Sequence, residues 1–93
     1  MIFMVIERFR SGDPRPVYRR FAESGRLAPD GVHYRGSWVD RSLQRCFQVM
    51  EAPSRERLEE WMDAWADLVE FEVVEVLTSD QAARAVAELP ERG

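Results

Sequence analysis

Few residues in this 93-residue chain can do chemistry, and their types narrow it at once. There is one Cys and one His. Every one of the thirteen basic residues is Arg, so no lysine is present for a Schiff base or a P-loop. A single Cys cannot close an intrachain disulfide, and one Cys with one His cannot build a zinc cage. Cys46 is the sharpest candidate. A hairpin that sets Trp38 opposite Leu43 puts Arg35 opposite Cys46, and a guanidinium beside a thiol favours the reactive thiolate. The competing and preferred reading is a small buried hydrophobe. His33 and Glu7 come second, because a carboxylate beside an imidazole orients and charges it for general-base work. The preferred alternative there is a strand histidine satisfied by Gln48 or water. Glu7, His33, Arg35, Cys46 and Gln48 together form a candidate ligand-binding set. No catalytic residue, metal or cofactor is assigned.

The elements that must position these residues follow from local signals. Ile2 to Phe9 reads as a first, buried strand. Asp13 as N-cap and Pro14 at the first helical position open a helix that carries Val17, Tyr18, Phe21 and Ala22 and stops at Gly25. Pro29-Asp30-Gly31 is turn chemistry. Val32 to Val39 and Leu43 to Glu51 form a hairpin with a two- or four-residue loop. Ser54 opens a second helix with an apolar stripe of Leu58, Trp61, Met62, Trp65, Leu68 and Val69. Phe71 to Leu77 is a fourth strand, and Thr78 with Gln81 has the spacing of a capping box for a short C-terminal helix. The order β-α-β-β-α-β plus a helix predicts an α+β domain of the ferredoxin-like split βαβ type. It spans residues 1–89, with 90–93 as a tail.

A sheet covered by helices on one side only has an open face. The sets Ile2, Met4, Ile6; Val32, Tyr34, Trp38; Leu43, Phe47, Val49; and Phe71, Val73, Leu77 are assigned to the helix side. Phe3, Val5, Glu7; His33, Arg35, Ser37; Gln44, Cys46, Gln48; and Glu72, Val74, Val76 are assigned to the open side. Such a mixed open face calls for a second copy packed sheet to sheet, the dimeric α/β-barrel arrangement, with a cavity between the sheets. Trp38, Trp61 and Trp65 are expected in the core. Arg19 and Arg20 near Arg26 could hold an anion, though a solvated face is preferred. The row Glu59, Glu60, Asp63 and Asp67 has too few oxygens for a hard cation.

Several blocks resemble a family of small bacterial domains of unknown function (DUF3303-like). They are Met1 to Glu7, Gly25-Arg26 with Pro29 and Gly31, Ser37-Trp38-Val39, Cys46 to Glu51, Trp61, Trp65, Asp67-Leu68 and Phe71-Glu72-Val73. The resemblance runs from Met1 to about Ala83 and implies a fold related to dimeric α/β barrels, with no reaction attached. Glu75 stands where that family's proline is expected.

Charge and composition set the remaining limits. A net charge of −4 and a pI near 5.0 have the wrong sign for a nucleic-acid partner. The six apolar residues before Glu7 are too few for a membrane span or a signal core, so a cytoplasmic protein with no membrane partner is expected. Two function classes stay open. One is a homodimer that binds a small molecule, with or without catalysis. The other is a dimerisation or protein-interaction module with no ligand site.

Overall fold

The computed structural model describes residues 1–91. The chain runs β1 (Ile2–Phe9), a 3₁₀ turn (Arg10–Gly12), α1 (Arg15–Ser24), β2 (His33–Val39), β3 (Arg45–Glu51), α2 (Arg55–Asp63), β4 (Val69–Val76) and α3 (Ser79–Ala87). The strands form one antiparallel sheet in the order β2-β3-β1-β4. This is an α+β architecture with three α-helices. Of the expected tail, Pro90 and Glu91 belong to no helix or strand, and Arg92 and Gly93 lie outside the described residues. Among the described residues no helix is long and apolar enough to cross a membrane.

The local signals act as their chemistry dictates. The Asp13 carboxylate accepts the Arg15 N–H at 3.0 Å, although Pro14, one residue later than expected, is the capping position. Gly25 ends α1 with φ of 70°, where a side chain would be strained. Ser54 accepts the Arg57 N–H, and Thr78 and Gln81 complete a reciprocal capping box on α3. The stripe of α2 outlives the helix. Trp65 and Leu68 sit in the turns that follow Asp63, and Trp65 is still buried.

The hairpin departs from expectation. Trp38 pairs with Phe47, not Leu43, and a register shift between Tyr34 and Gly36 marks a β-bulge at Arg35. Asp40 is the cause. Its carboxylate accepts the Gln44 and Arg45 N–H groups, the Ser42 hydroxyl and the Arg45 guanidinium. Those contacts, the Gln44 N–H first, hold its pKa down at about 2. They close a longer loop in which Leu43 turns left-handed (φ 62°) and leaves the strand.

The face assignment is inverted for β1 and β3. Phe3, Val5, Glu7 and Phe9, with Cys46, Gln48 and Met50, are buried against Leu58, Trp61 and Trp65. Ile2, Met4, Ile6, Phe47 and Val49 lie on the open side. For β4 the expected faces hold: Phe71 pairs with Glu7 and Val73 with Val5, so both are on the helix side. The register of β4 therefore carries Val5 and Glu7 inward. In β2, Tyr34 and Ser37 accompany Met50 and Gln48 on the helix side, while Trp38 lies with Phe47 on the open side. Trp38 is 66% exposed and is no core residue; its ring lies beside Gly36, where an added Cβ would meet it at 3.4 Å.

α3 buries none of its residues. With Leu77, Val86 and Leu89 all exposed, the segment stands clear of the core in a body that extends to 55 Å along its longest axis.

Candidate functional site

Between the sheet and the helices lies a partly open cavity of about 130 Å³. β1 supplies Glu7 and Phe9, β2 supplies Ser37 and Val39, and β3 supplies Cys46 and Gln48. Val17, Tyr18 and Phe21 come from α1, Arg26 from the loop after it, and Trp61 and Trp65 from the α2 region. The walls are apolar and aromatic, with a short polar chain along the floor.

That chain is directional. Gln48 Nε2 donates to Glu7 Oε1 at 3.1 Å, and Arg26 Nη1 donates to Gln48 Oε1 at 2.5 Å. The two partners settle which end of the amide is oxygen and which nitrogen. Glu7 Oε2 has no hydrogen-bond partner among the described residues. Since no buried polar side-chain atom among the described residues lacks one, that oxygen opens onto the cavity. Burial pushes the Glu7 carboxyl up to about 7, against the smaller opposing pull of Arg26. A carboxyl so placed exchanges its proton near neutrality.

Arg26 is held from both ends. Its carbonyl accepts the Trp61 and Trp65 indole N–H groups at 3.1 and 2.9 Å. Its guanidinium carbon lies 3.6 Å from the Tyr34 ring centroid and 5.0 Å from that of Phe21. The sequence reading grouped Arg26 with Arg19 and Arg20 and so missed it. The available signal was Gly25, whose left-handed turn reverses the chain and sends the next residue back toward the sheet. Arg20 is taken up elsewhere, donating to both Asp67 oxygens at 2.7 Å and to the Ala64 carbonyl.

The five sequence candidates separate. Glu7, Cys46 and Gln48 meet in the cavity, whereas His33 and Arg35 lie on the open side. His33 pairs with Glu51 in the ladder, and Arg35 forms a two-pronged ion pair with the Glu51 carboxylate at 2.9 and 3.1 Å. A sheet thus stands between His33 and Glu7, and they cannot act as a base pair. Cys46 faces Val39, not Arg35. Burial, reinforced by the Glu7 charge, raises its thiol to about 11. Native Cys46 is therefore expected to resist iodoacetamide and to label only on unfolding, with no change in Arg35→Ala. Rapid labelling of the native protein would contradict the buried-thiol assignment. Among the described residues no three His, Cys, Asp or Glu side chains gather to hold a metal ion.

The blocks that carried the family resemblance supply Glu7, Arg26, Cys46, Gln48, Trp61 and Trp65 to this one space. Comparison with curated proteins and with solved structures returned no match. The model of one family, described as a domain of unknown function (DUF3303), matches residues 1–90, and the chain belongs to that family.

Proposed function

We propose that this domain binds a small molecule in the cavity between its sheet and helices, as one half of a homodimer that meets its partner through the open sheet face. The observation that carries the ligand half is Glu7 Oε2, without a partner among the described residues, in a cavity whose walls are largely apolar and aromatic and whose other charged group is Arg26. One or two fixed polar groups among apolar walls are what orient a small ligand. The cavity is about the size that accepts a benzene ring, roughly 150 Å³. The expected result is a saturable NMR shift of the Val17 and Val39 methyls with at least one compound from a panel of one-ring compounds. The Val74 and Val76 methyls, on the other face, should stay still. A panel that moves no cavity methyl at millimolar concentration removes this reading.

The sheet order β2-β3-β1-β4, with a helix between β1 and β2 and another between β3 and β4, supports the ferredoxin-like split βαβ. The open face supports the dimeric α/β-barrel pairing. It presents Ile2, Met4, Ile6, Phe47, Val49, Val74 and Val76 beside the exposed Trp38, more apolar area than a monomer ordinarily leaves in water. Because Glu7 and Gln48 point the other way, the ligand site lies within each protomer, while His33, Glu72 and the Arg35–Glu51 pair share the open face with its apolar residues. The sole cysteine is a free thiol, which fits a reducing, cytoplasmic compartment. Sedimentation equilibrium is expected to give a dimer at micromolar concentration and a folded monomer for Val49→Glu. A wild-type monomer removes the dimer half. The alternative, an association module without a ligand, draws on the same open face and is favoured if the dimer forms and the cavity stays empty.

A further inference from the structure

Arg26 is the one arginine that lines the cavity, and no carboxylate pairs with it among the described residues. Its neighbours in sequence and type are otherwise engaged: Arg20 with Asp67, Arg35 with Glu51, Arg45 with Asp40. Arg26 is instead held by neutral groups, its carbonyl by two indoles and its guanidinium between Tyr34 and Phe21. One N–H group goes to Gln48, and Nε and Nη2 have no hydrogen-bond partner among the described residues. A fork of donors fixed in this way, with its charge unneutralised, is built for a planar anion.

The second half of the site is Glu7. The Gln48 amide holds Arg26 at its oxygen end and Glu7 at its nitrogen end. Arg26 and Glu7 are thus joined through one amide and line one cavity. We propose that the cavity binds a small organic monoanion, a carboxylate on a single ring or short branched chain, with Arg26 as counter-ion and Glu7 in its acid form as donor. The proposal rests on the cavity being a ligand site. Its size admits about one ring. A cationic ligand would face Arg26 and would need Glu7 ionised, which burial opposes. A neutral ligand would gain no charge pairing from the guanidinium.

The proton on Glu7 makes binding pH-dependent. The charged and titratable groups facing Glu7 are Arg26 from the loop, Cys46 from β3 and Tyr18 from α1. β4 and the α2 region offer only Phe71, Val73, Trp61 and Trp65. Burial holds Cys46 as a thiol, and the Glu7 carboxyl is the one pushed up to about 7.

Benzoate, benzyl alcohol and benzylamine, titrated into the full chain and followed at the Val17 and Val39 methyls, test the class. Benzoate should bind about tenfold or more tightly than either of the others at pH 6, consistent with a desolvated charge-assisted pair. Its affinity should fall about tenfold between pH 6 and pH 8, the amount expected for uptake of one proton at a group near 7. Glu7→Gln, whose amide also donates, should bind benzoate with that pH dependence flattened. Arg26→Gln should lose the preference for benzoate over benzyl alcohol; the pH series on the wild-type protein needs no variant to fold. Benzyl alcohol or benzylamine binding as tightly as benzoate, or benzoate binding more tightly at pH 8, overturns the monoanion and leaves the cavity a ligand site. If none of the three, and no other one-ring compound, moves the cavity methyls, both readings fail.

Discussion

Trp65→Ala should lower the unfolding free energy by about 3–5 kcal/mol in urea or guanidinium titrations, the usual loss for a buried aromatic cut back to Ala. Trp65 lies just past the end of α2, is 6% exposed, and packs in the cluster that joins Val5, Phe9, Leu58 and Val69. A loss below about 1 kcal/mol, well under that range, would show that the turns after α2 are not core. The indole also has a polar duty it shares with Trp61, since both N–H groups end on the Arg26 carbonyl. Trp61→Phe or Trp65→Phe alone leaves that carbonyl one donor, so each should lose about 1 kcal/mol of hydrogen bonding. The double variant removes both donors and should lose more than the sum of the singles. Strict additivity would mean that solvent replaces the indoles and that Arg26 is not positioned by them.

Stability should fall, not rise, as the pH is raised from about 4.5 to about 7, and Glu7 is the reason. Its ordinary pKa of 4.5 describes the unfolded chain, and in the folded protein burial raises it to about 7. Below 4.5 both states hold the proton and no penalty exists. Between the two values only the folded state holds it, and above 7 the folded state carries a buried carboxylate. The unfolded state thus binds fewer protons across this window, and linkage gives a loss of about 3 kcal/mol per chain. The ion-paired carboxylates Asp13, Asp40, Glu51 and Asp67 have lowered pKa values and act in the opposite sense. Their contribution is lost as the pH falls below the ordinary carboxylate range, outside the window set by Glu7. Glu7→Gln keeps an acceptor for Gln48 and removes the titration. It should match the wild type near pH 4.5 and exceed it by about 2–3 kcal/mol at pH 8, the same linkage seen from the other side. Equal wild-type stability at pH 5 and pH 8 would refute a buried, raised Glu7.

The element order was legible in the sequence because it is written in local chemistry. Ser54, Thr78 with Gln81, Gly25 and the turn at Pro29-Asp30-Gly31 each act on a backbone group a few residues away, and each does so in the structure. Strand faces are not local. In β1 both alternating sets are apolar, Ile2, Met4, Ile6 against Phe3, Val5, Phe9, so counting apolar residues cannot choose between them. Glu7 and Gln48 looked like solvent-side residues by type. They are buried because each satisfies the other and Arg26 completes the chain, a contact between residues far apart in sequence.

The membership of the candidate site divided along the same line. Glu7, Cys46 and Gln48 line one cavity because alternate positions on paired strands must share a face whichever side that face turns to. His33 and Arg35 were separated from them by the bulge at Arg35, which slips the β2–β3 pairing by one residue. The Asp40-centred loop moves the partner of Trp38 from Leu43 to Phe47, an even shift that leaves the faces unchanged. Arg26 entered only through the fold. Its guanidinium reaches the cavity because Trp61 and Trp65 hold its carbonyl and Tyr34 and Phe21 hold its plane, all at once. By itself the sequence determined the α+β order, the caps and the sets of residues that travel together. Which set faces the helices, and which cation meets Glu7, was decided by tertiary packing, because those choices depend on partners that only the folded chain brings within reach.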